Sequence, residues 1–334
     1  MFKKMVPTIL VIALLLSACS NPTNINTNST RKNAEITSTI EEEEQLKEAT
    51  PYLSITETYY IDDKEEKMKS RVITYDGKTA KEIGQVPYES DYPLTCYDRG
   101  DNSIYYTGDD GKRYQIYRYD ATPYKCATDF CQFNYLSLCE DKFFSLAVHS
   151  KHSCENPIVF DKDFKDYNQI IEDPKDDLMC WTVGMDYKTH TVYFSSYSDS
   201  ERRKLLDTEK TAKTTIYSYK LNTGELKTVY EKRKYVSSIA AKDGMLYMLI
   251  GTNWELKDKK IVVFDTNTGI IEKSNIKLNI RNTSDMEIID DKLYYIGTEF
   301  GYDGVFSYDL NSGKKETVLK QNKNEFINGF SLNY

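Results

Sequence analysis

The chain contains a strand-turn phrase that returns along its length. It reads IYSYKLNTGELKTV from residue 216, IVVFDTNTGIIEK from residue 261 and VFSYDLNSGKKETV from residue 305. The aromatic residue before the turn occurs six times, 41 to 59 residues apart, at Tyr75, Tyr119, Phe160, Tyr219, Phe264 and Tyr308. Recurrence at roughly this period is typical of repeat folds, so it limits the possible architectures more than any other feature of the sequence.

Each repeat also holds an earlier strand of the form D-x-x-[LI]-Y-[YFM], as in GMLYMLIG (244–251) and KLYYIGT (292–298). A short apolar run precedes this strand and a last strand follows the turn. Period-2 alternation, aromatic and β-branched residues and Gly/Asn/Asp turns mark all four as strands. The sequence therefore predicts an all-β fold, a six-bladed β-propeller with four antiparallel strands per blade. The alternatives are a β-sandwich, an open solenoid, or a propeller of five or seven blades.

The two ends of the repeat region complement each other. The first repeat begins at its second strand, residues 52–61, whereas the chain finishes on an apolar segment without a repeat of its own, EFINGFSLNY. We predict that this C-terminal segment is the inner strand of the first blade, because such pairing closes the ring and removes exposed strand edges. The predicted propeller covers residues 52–334.

The N-terminus predicts export. MFKKMVPTILVIALLLSACS has a basic start and an apolar run that is too short for a membrane-spanning helix but has the length of a signal-peptide core. Its ending, L-S-A-C, resembles a bacterial lipobox, which implies a signal peptide over residues 1–18 and lipid attachment at Cys19. An ordinary signal peptide with an incidental cysteine is the alternative.

Residues 19–51 are polar and poor in aromatic side chains. Such a segment cannot bury enough apolar surface to offset its ordering entropy, so we expect a flexible tether after the lipidated Cys19. Several acyl chains on one residue would anchor the protein stably. We therefore expect a lipid-anchored protein on the extracytoplasmic face of a bacterial cell membrane.

Six further cysteines lie between residues 96 and 180, and an exported protein can form disulfides among them. Cys126 and Cys131, in KCATDFCQF, are the first candidate pair. The residues His149, His152 and Cys154 lie close together and could hold a metal; the alternative is a surface loop with a disulfide or a free thiol. The spacing lacks a second half with C-x-x-C, so we expect no metal.

The loops between the second and third strands are long and differ from one another, whereas the remaining turns are short and repetitive. Because irregular loops on a regular scaffold carry specificity, we predict that the face with the long loops is the working surface. The candidate ligand-binding residues on this face are Trp254, Asp91, Tyr92, Asp177, Arg281 and Asp285. The other tryptophan, Trp181 in LMCWTVGMD, is the second large aromatic that could serve as a stacking platform or interface anchor, but we interpret it as a core residue.

The sequence contains no G-x-S-x-G, no H-E-x-x-H and no phosphate-binding or dinucleotide-binding glycine loop. A net charge of −8 argues against nucleic-acid binding. We expect a binding protein for a protein, peptide or glycan ligand, without catalysis. The alternative is a hydrolase or lyase that acts on polysaccharide with acidic residues at the channel mouth.

The phrase I-x-x-[YF]-D-x-x-[TS]-G, present as IVVFDTNTG and VFSYDLNSG, resembles the blade motif of TolB-like and quinoprotein-like propellers. The lipobox followed by six such blades is similar to surface lipoproteins of low-GC Gram-positive bacteria. The tryptophan-rich blade signature of quinoproteins is absent from a chain with two tryptophans, so we expect no cofactor. The TolB-like resemblance implies protein docking.

Overall fold

A computed structural model describes residues 50–61, 67–87, 92–109, 114–119, 123–127, 130–149, 154–162, 164, 167–172, 176–206, 208, 210–253, 255–282 and 285–334. For residues 114, 115, 123–127, 131 and 149 it describes the backbone alone. These residues form six four-stranded antiparallel sheets, which are the blades of a propeller. The prediction of an all-β, six-bladed β-propeller is confirmed.

The strands follow the predicted order. Blade 1 contains β1 (Tyr52–Tyr60), β2 (Met68–Tyr75) and β3 (Ala80–Val86); blade 2 contains β4 (Thr95–Asp98), β5 (Ser103–Asp109), β6 (Tyr114–Tyr119) and β7 (Pro123–Ala127); blade 3 contains β8 (Phe130–Cys139), β9 (Lys142–His149), β10 (Glu155–Asp161) and β11 (Tyr167–Gln169). Blade 4 contains β12 (Leu178–Asp186), β13 (Thr191–Ser198), β14 (Thr214–Lys220) and β15 (Leu226–Lys232); blade 5 contains β16 (Tyr235–Lys242), β17 (Met245–Gly251), β18 (Lys260–Asp265) and β19 (Ile271–Lys273); blade 6 contains β20 (Met286–Ile289), β21 (Lys292–Glu299), β22 (Tyr302–Asp309) and β23 (Lys315–Lys320).

The last strand, β24 (Glu325–Asn333), closes the ring. It pairs antiparallel with β1, from Tyr52 opposite Asn333 to Tyr59 opposite Glu325, and thereby becomes the inner strand of blade 1. The prediction that the C-terminal segment completes the first blade is confirmed. Both ends of the ring are thus held in one sheet, and the edge of β1 that would otherwise be open is paired.

An arginine joins all four strands of this closing blade. Arg71 of β2 lies opposite Glu57 of β1, and its Nε donates to Glu57 Oε2 at 2.6 Å. The two terminal nitrogens reach Glu82 of β3 at 3.3 Å and Glu325 of β24 at 3.2 Å. Glu57 is fully buried; burial raises its pKa, and the hydrogen bond and charge of Arg71 work in the opposite direction.

Neighbouring blades share apolar clusters built from the second and third strands. Leu293 and Tyr295 of β21 are fully buried and pack in one cluster with Leu249 and Ile261 of blade 5. Because side chains alternate along a strand, one apolar set per strand faces the adjacent blade. The recurring D-x-x-[LI]-Y-[YFM] pattern therefore supplies the contacts that hold blade against blade.

The turns between third and fourth strands repeat one geometry. After β18, the Asp265 carboxylate accepts the backbone N–H of Asn267 at 2.8 Å, and Gly269 adopts a φ of 72°. After β22, Asp309 and Gly313 repeat the arrangement with the same φ. A positive φ favours glycine, which explains the final residue of the N-T-G and N-S-G motifs.

The long loop after β13 contains a helix, α1 (Asp199–Leu205), that the strand-only sequence analysis did not predict. Ser198 caps it by accepting the N–H of Glu201 at 3.1 Å. A seven-residue helix has too few turns to show a clear hydrophobic periodicity. The capping serine was therefore its main sign in the sequence. Within the described ranges, no helix has the length and apolar character needed to cross a bilayer.

Candidate functional site

Four of the six inner strands carry a β-bulge near the long-loop end of the channel. The pairing register shifts in the first half of β8, β12, β16 and β24, which is the half nearer the long loops. The extra residues are Asn134, Trp181 with Thr182, Ser237 and Asn328. A bulge re-aims a side chain out of the regular alternation and is common beside functional sites. The inner surface of the propeller is therefore irregular at one level, where polar and aromatic side chains occupy the bulges.

Three of these bulges line a cavity of about 400 Å³. Small-molecule sites commonly have volumes of roughly 300 to 1,000 Å³. Blades 3, 4 and 5 contribute their bulged residues, and blade 6 contributes the residue that directly precedes β20. The lining residues are Gln132, Asn134, Tyr135, Leu146, Glu155, Trp181, Thr182, Val183, Ser237 and Asp285.

Glu155, the first residue of β10, is the most unusual group in this cavity. It is only 2% exposed, and its Oε1 has no hydrogen-bond partner among the described residues. Burial raises the pKa of Glu155 to about 8, and a hydrogen bond with the Asn134 side chain acts against this rise. Gln132 donates to Asn134 Oδ1 at 2.6 Å, which leaves the Asn134 amide nitrogen to face the carboxyl group.

Asp285 provides the second carboxyl group of the cavity. Burial raises its pKa to about 6, while the N–H of Phe330, at 2.9 Å, and the charge of Arg281 oppose the rise. Its position depends on Gly329, because a Cβ added there would lie 2.6 Å from Asp285 Oδ2. In the C-terminal segment, Asn328 is thus the bulged residue, and Gly329 leaves the space that the Asp285 carboxylate occupies.

Two aromatic side chains, Tyr135 and Trp181, line the cavity. Tyr135 donates its hydroxyl to the buried carboxylate of Glu287 at 3.0 Å, and Glu287 also accepts the N–H of Met185 at 3.2 Å. Trp181 is 37% exposed, and its ring lies between Tyr197 at 6.3 Å and Tyr235 at 6.4 Å. The interpretation of Trp181 as a core residue was wrong, because the residue lies in a bulge, is partly exposed and lines the cavity.

The described residues among the predicted site residues do not all line the cavity. Asp285 lies in the cavity, and Arg281 donates to the carbonyl oxygen of Ile327 at 2.8 Å. Tyr92 is 44% exposed, and its hydroxyl lies 2.7 Å from that of Tyr60 on blade 1. Three predicted residues fall outside the described part of the chain: Asp91, Trp254 and Cys19.

Asp177 supports the helix-bearing loop and does not line the cavity. Its carboxylate accepts the N–H of Ser200 at 2.6 Å and the hydroxyl of Ser198 at 2.5 Å. These hydrogen bonds, first that of Ser198, lower the pKa of Asp177. The structure therefore brings Asp285 together with Glu155, Trp181 and Ser237, none of which was among the candidate residues from the sequence.

The described cysteines are buried as thiols rather than joined as disulfides: Cys96, Cys139, Cys154 and Cys180. Cys154 donates its thiol to the carbonyl oxygen of Asp176 at 2.7 Å. The side chains of Cys126 and Cys131 lie outside the described part, so their pairing stays a prediction. The side chains of His149 and His152 also lie outside the described part, so the expectation that no metal binds there stays a prediction. Among the described side chains, no three potential ligands cluster as a metal would need.

A wider recess of about 620 Å³ lies on the opposite face, among the short turns. Its carboxylates already have partners. Asp76 and Asp309 accept backbone N–H groups of their own turns, Asp290 accepts the hydroxyl of Tyr187 at 3.1 Å, and Asp291 pairs with Lys242. We therefore regard the smaller cavity, with its unpartnered buried oxygen atoms, as the candidate site.

No protein-family model matches the chain, and a comparison with curated proteins also finds no match. Solved structures share its fold. TolB from Acinetobacter baumannii is similar with a TM-score of 0.58 at 14% identity over 86% of this chain and 68% of that chain. A structure of the nidogen/laminin complex gives 0.56 at 12% identity over 84% of this chain and 98% of that chain. An oligogalacturonate lyase in complex with manganese gives 0.50 at 12% identity, over 81% and 74%. At these identities the similarity establishes a TolB-like propeller fold alone.

Proposed function

We propose that the protein is a lipid-anchored, extracytoplasmic binding protein that holds its ligand at the channel mouth on the long-loop face, without catalysis. The observation that carries this proposal is the cavity built by successive bulges in β8, β12 and β16. A bulge interrupts the hydrogen-bond ladder, so three bulges at one level weaken the sheets locally. A function for the re-aimed side chains would explain why the bulges are present.

The ligand class follows from the wall chemistry. Trp181 offers a flat apolar face, while two amides, three hydroxyl groups and two carboxyl groups line the same cavity. An aromatic platform with convergent polar groups suits a polar ligand that also has an apolar face, as sugars and peptide side chains do. We therefore propose a glycan, a peptide or a segment of a protein as the ligand.

The fold similarity agrees with a binding role. TolB and the nidogen/laminin complex have propellers of the same kind, and the latter structure is itself a complex of two proteins. The N-terminal motif L-S-A-C, with Cys19 as the lipidated residue, supports anchoring to the membrane. Together they suggest a propeller held at the extracytoplasmic surface, similar to lipoproteins of low-GC Gram-positive bacteria.

A second function has one observation in its favour. Glu155 and Asp285 are two carboxyl groups in one cavity, and burial raises both pKa values, to about 8 and about 6. A protonated acid beside an ionised one is the arrangement that glycoside hydrolysis requires. A polysaccharide hydrolase or lyase is therefore the alternative to binding alone.

The anchoring can be tested by Cys19→Ser. We expect the wild-type chain, expressed in a bacterial host, to incorporate labelled palmitate and to sediment with membranes. The Cys19→Ser variant should lose both properties. Membrane retention of Cys19→Ser at the wild-type level would contradict the anchor.

Binding and catalysis can be separated with one set of variants. We expect glycan or peptide arrays to detect stable binding, with no product formed. Trp181→Ala should abolish this binding, and Trp254→Ala tests the other tryptophan independently. A measured cleavage of polysaccharide that is lost in both Glu155→Gln and Asp285→Asn would establish the alternative. Wild-type binding by Trp181→Ala would contradict the cavity as the binding site.

A further inference from the structure

We propose that the cavity recognises a primary ammonium group, carried by an amino sugar or a lysine side chain, which passes Trp181 and ends against Glu155. This inference rests on the proposed binding function and specifies its ligand. Its basis is a mismatch of charge: the lining contains two carboxyl groups and no lysine, arginine or histidine among the described residues.

The unpartnered oxygen of Glu155 defines the end of the site. A buried polar atom without a partner carries a desolvation penalty of about 1 to 3 kcal/mol, and more when it is charged. The hydroxyl of Ser237, which is 2% exposed and also lines the cavity, has no partner among the described residues either. An ammonium group has three donors and no acceptor, which matches a wall whose unpartnered atoms, the Glu155 oxygen and the Ser237 hydroxyl, can accept hydrogen bonds.

The remaining lining fits the same group. The half-exposed indole of Trp181 offers its ring face, and a cation over such a ring gains about 0.5 to 2 kcal/mol. Asp285 supplies a second negative group. Arg281, whose charge acts on Asp285, donates to the carbonyl oxygen of Ile327 and does not line the cavity.

Binding should be coupled to loss of a proton. Burial raises the pKa of Glu155 to about 8, so at pH 7 the empty site holds mainly the neutral acid. An ammonium group favours the carboxylate, and the Glu155 proton then leaves to solvent. The affinity therefore rises with pH through the pKa of Glu155, by about tenfold per unit well below that value, until the ligand amine loses its own proton.

Among the other titratable groups near Glu155, the two tyrosines titrate above this pH range, whereas Asp285 titrates within it. Tyr197 of β13 and Tyr235 of β16 face the same space, and burial raises both pKa values above the ordinary value. Arg202 of α1 lies 6.0 Å from the ring of Tyr197. Asp285 titrates with a pKa of about 6, so the Glu155→Gln variant is needed to isolate the contribution of Glu155.

The test is calorimetry on the full-length lipidated chain in detergent, with matched charged and neutral probes. Glucosamine tetrasaccharide is compared with its N-acetylated form, and trilysine with its Nε-acetylated form. Titrations at pH 7 in two buffers of different ionisation enthalpy count the protons released. The variants are Glu155→Gln and, as the matched control, Glu231→Gln, which removes an exposed carboxyl group that pairs with Lys213 outside the cavity.

We expect one amine probe to bind with release of about one proton, its acetylated form to bind at least tenfold more weakly, and Glu231→Gln to match the wild type. Glu155→Gln should weaken binding by about 30-fold or more and abolish the proton release. Which amine binds identifies the source of the group. Binding of acetylated probes at equal strength, insensitive to Glu155→Gln but lost in Trp181→Ala, would overturn the ammonium proposal and leave the binding function standing. Absence of binding by both amines would overturn it as well.

Discussion

Two buried glutamates occupy opposite situations in this propeller. Glu57 is fully buried in the closing blade and lies 2.6 Å from the guanidinium group of Arg71, whereas Glu155 is 2% exposed in the cavity with no cation beside it among the described residues. Burial raises both pKa values. The comparison separates a buried carboxyl group that has a cation within the fold from a buried carboxyl group that has none among the described residues.

The strand pairing explains the difference. Glu57 faces Arg71 directly across the β1–β2 ladder, and the same arginine reaches Glu325 of the closing strand. Glu155 faces Val148 across β9 and β10, so its ladder neighbour offers no charge. A buried ion pair is weak evidence for function, but a buried carboxyl group without a counter-ion inside a cavity is a reason to look for a ligand.

The largest expected effect is the loss of the cation in the first region. Arg71→Met leaves Glu57 buried without its partner and removes the ion pair between Arg71 and Glu325 of the closing strand. We therefore expect the free energy of unfolding to fall by about 3 to 5 kcal/mol. Urea denaturation at pH 7 measures this loss. The double variant Glu57→Gln with Arg71→Met should recover a large part of it, and Lys213→Met, which breaks an exposed pair, should leave the urea midpoint unchanged.

The second region should respond in the opposite direction. The pKa of Glu155 is raised from its ordinary value to about 8, so the native state holds its proton between about pH 5 and pH 8 while the unfolded state does not. The stability contribution of this group is therefore fully present below about pH 4.5 and falls as the pH rises to 8, by at most about 1.4 kcal/mol per pH unit.

We expect Glu155→Gln to remove this slope, so that its advantage over the wild type grows from pH 5 to pH 8. Urea denaturation across that range measures it. Parallel pH profiles for the two proteins would mean that Glu155 already has a partner, and the contrast with Glu57 would disappear.

A third carboxyl group extends the comparison. Gly329→Ala places a methyl group 2.6 Å from Asp285 Oδ2, so either the carboxylate or β24 must move, at a cost of about 1 to 3 kcal/mol. Thermal or urea unfolding measures the cost, and ligand binding should weaken with it. In an Asp285→Ala background the same substitution should cost much less, since the colliding group is gone. Equal costs in both backgrounds would rule out the collision.

The smallest effect is expected at Asp177, an acid on the same face that supports the loop. Asp177→Ala removes the acceptor for Ser200 N–H and Ser198 Oγ, so we expect a loss of about 1 kcal/mol or less, as for a helix cap. Ligand affinity should stay at the wild-type value. A large loss of affinity without loss of stability would move the binding site from the cavity to this loop.

The fold could be predicted because its signal is repeated. The aromatic residue before the turn occurs six times, which predicted the number and order of the strands. The incomplete first repeat predicted that the C-terminal segment completes it, and β24 does pair with β1. The recurring Asp-to-Gly turns were visible for the same reason, since each depends on local hydrogen bonds and a positive φ.

The site could not be predicted to the same extent. A bulge is a relation between two strands, two residues against one, and a single strand such as LMCWTVGMD contains no sign of it. Trp181 was therefore assigned to the core by its neighbours. Glu155 was equally inconspicuous, because one acid among 52 acidic residues becomes informative only when its burial is known. Asp285 was found because it immediately precedes an inner strand.

Closure by β24 also has a kinetic consequence. The side chains of Ser54 and Asn333 hydrogen-bond at 3.0 Å although they lie 279 residues apart in the chain. Contacts of such long sequence separation form late and slow folding, because loop-closure entropy must be lost before they contribute. The blade that emerges first during synthesis is therefore completed last, and until then it presents an open strand to any other chain it meets.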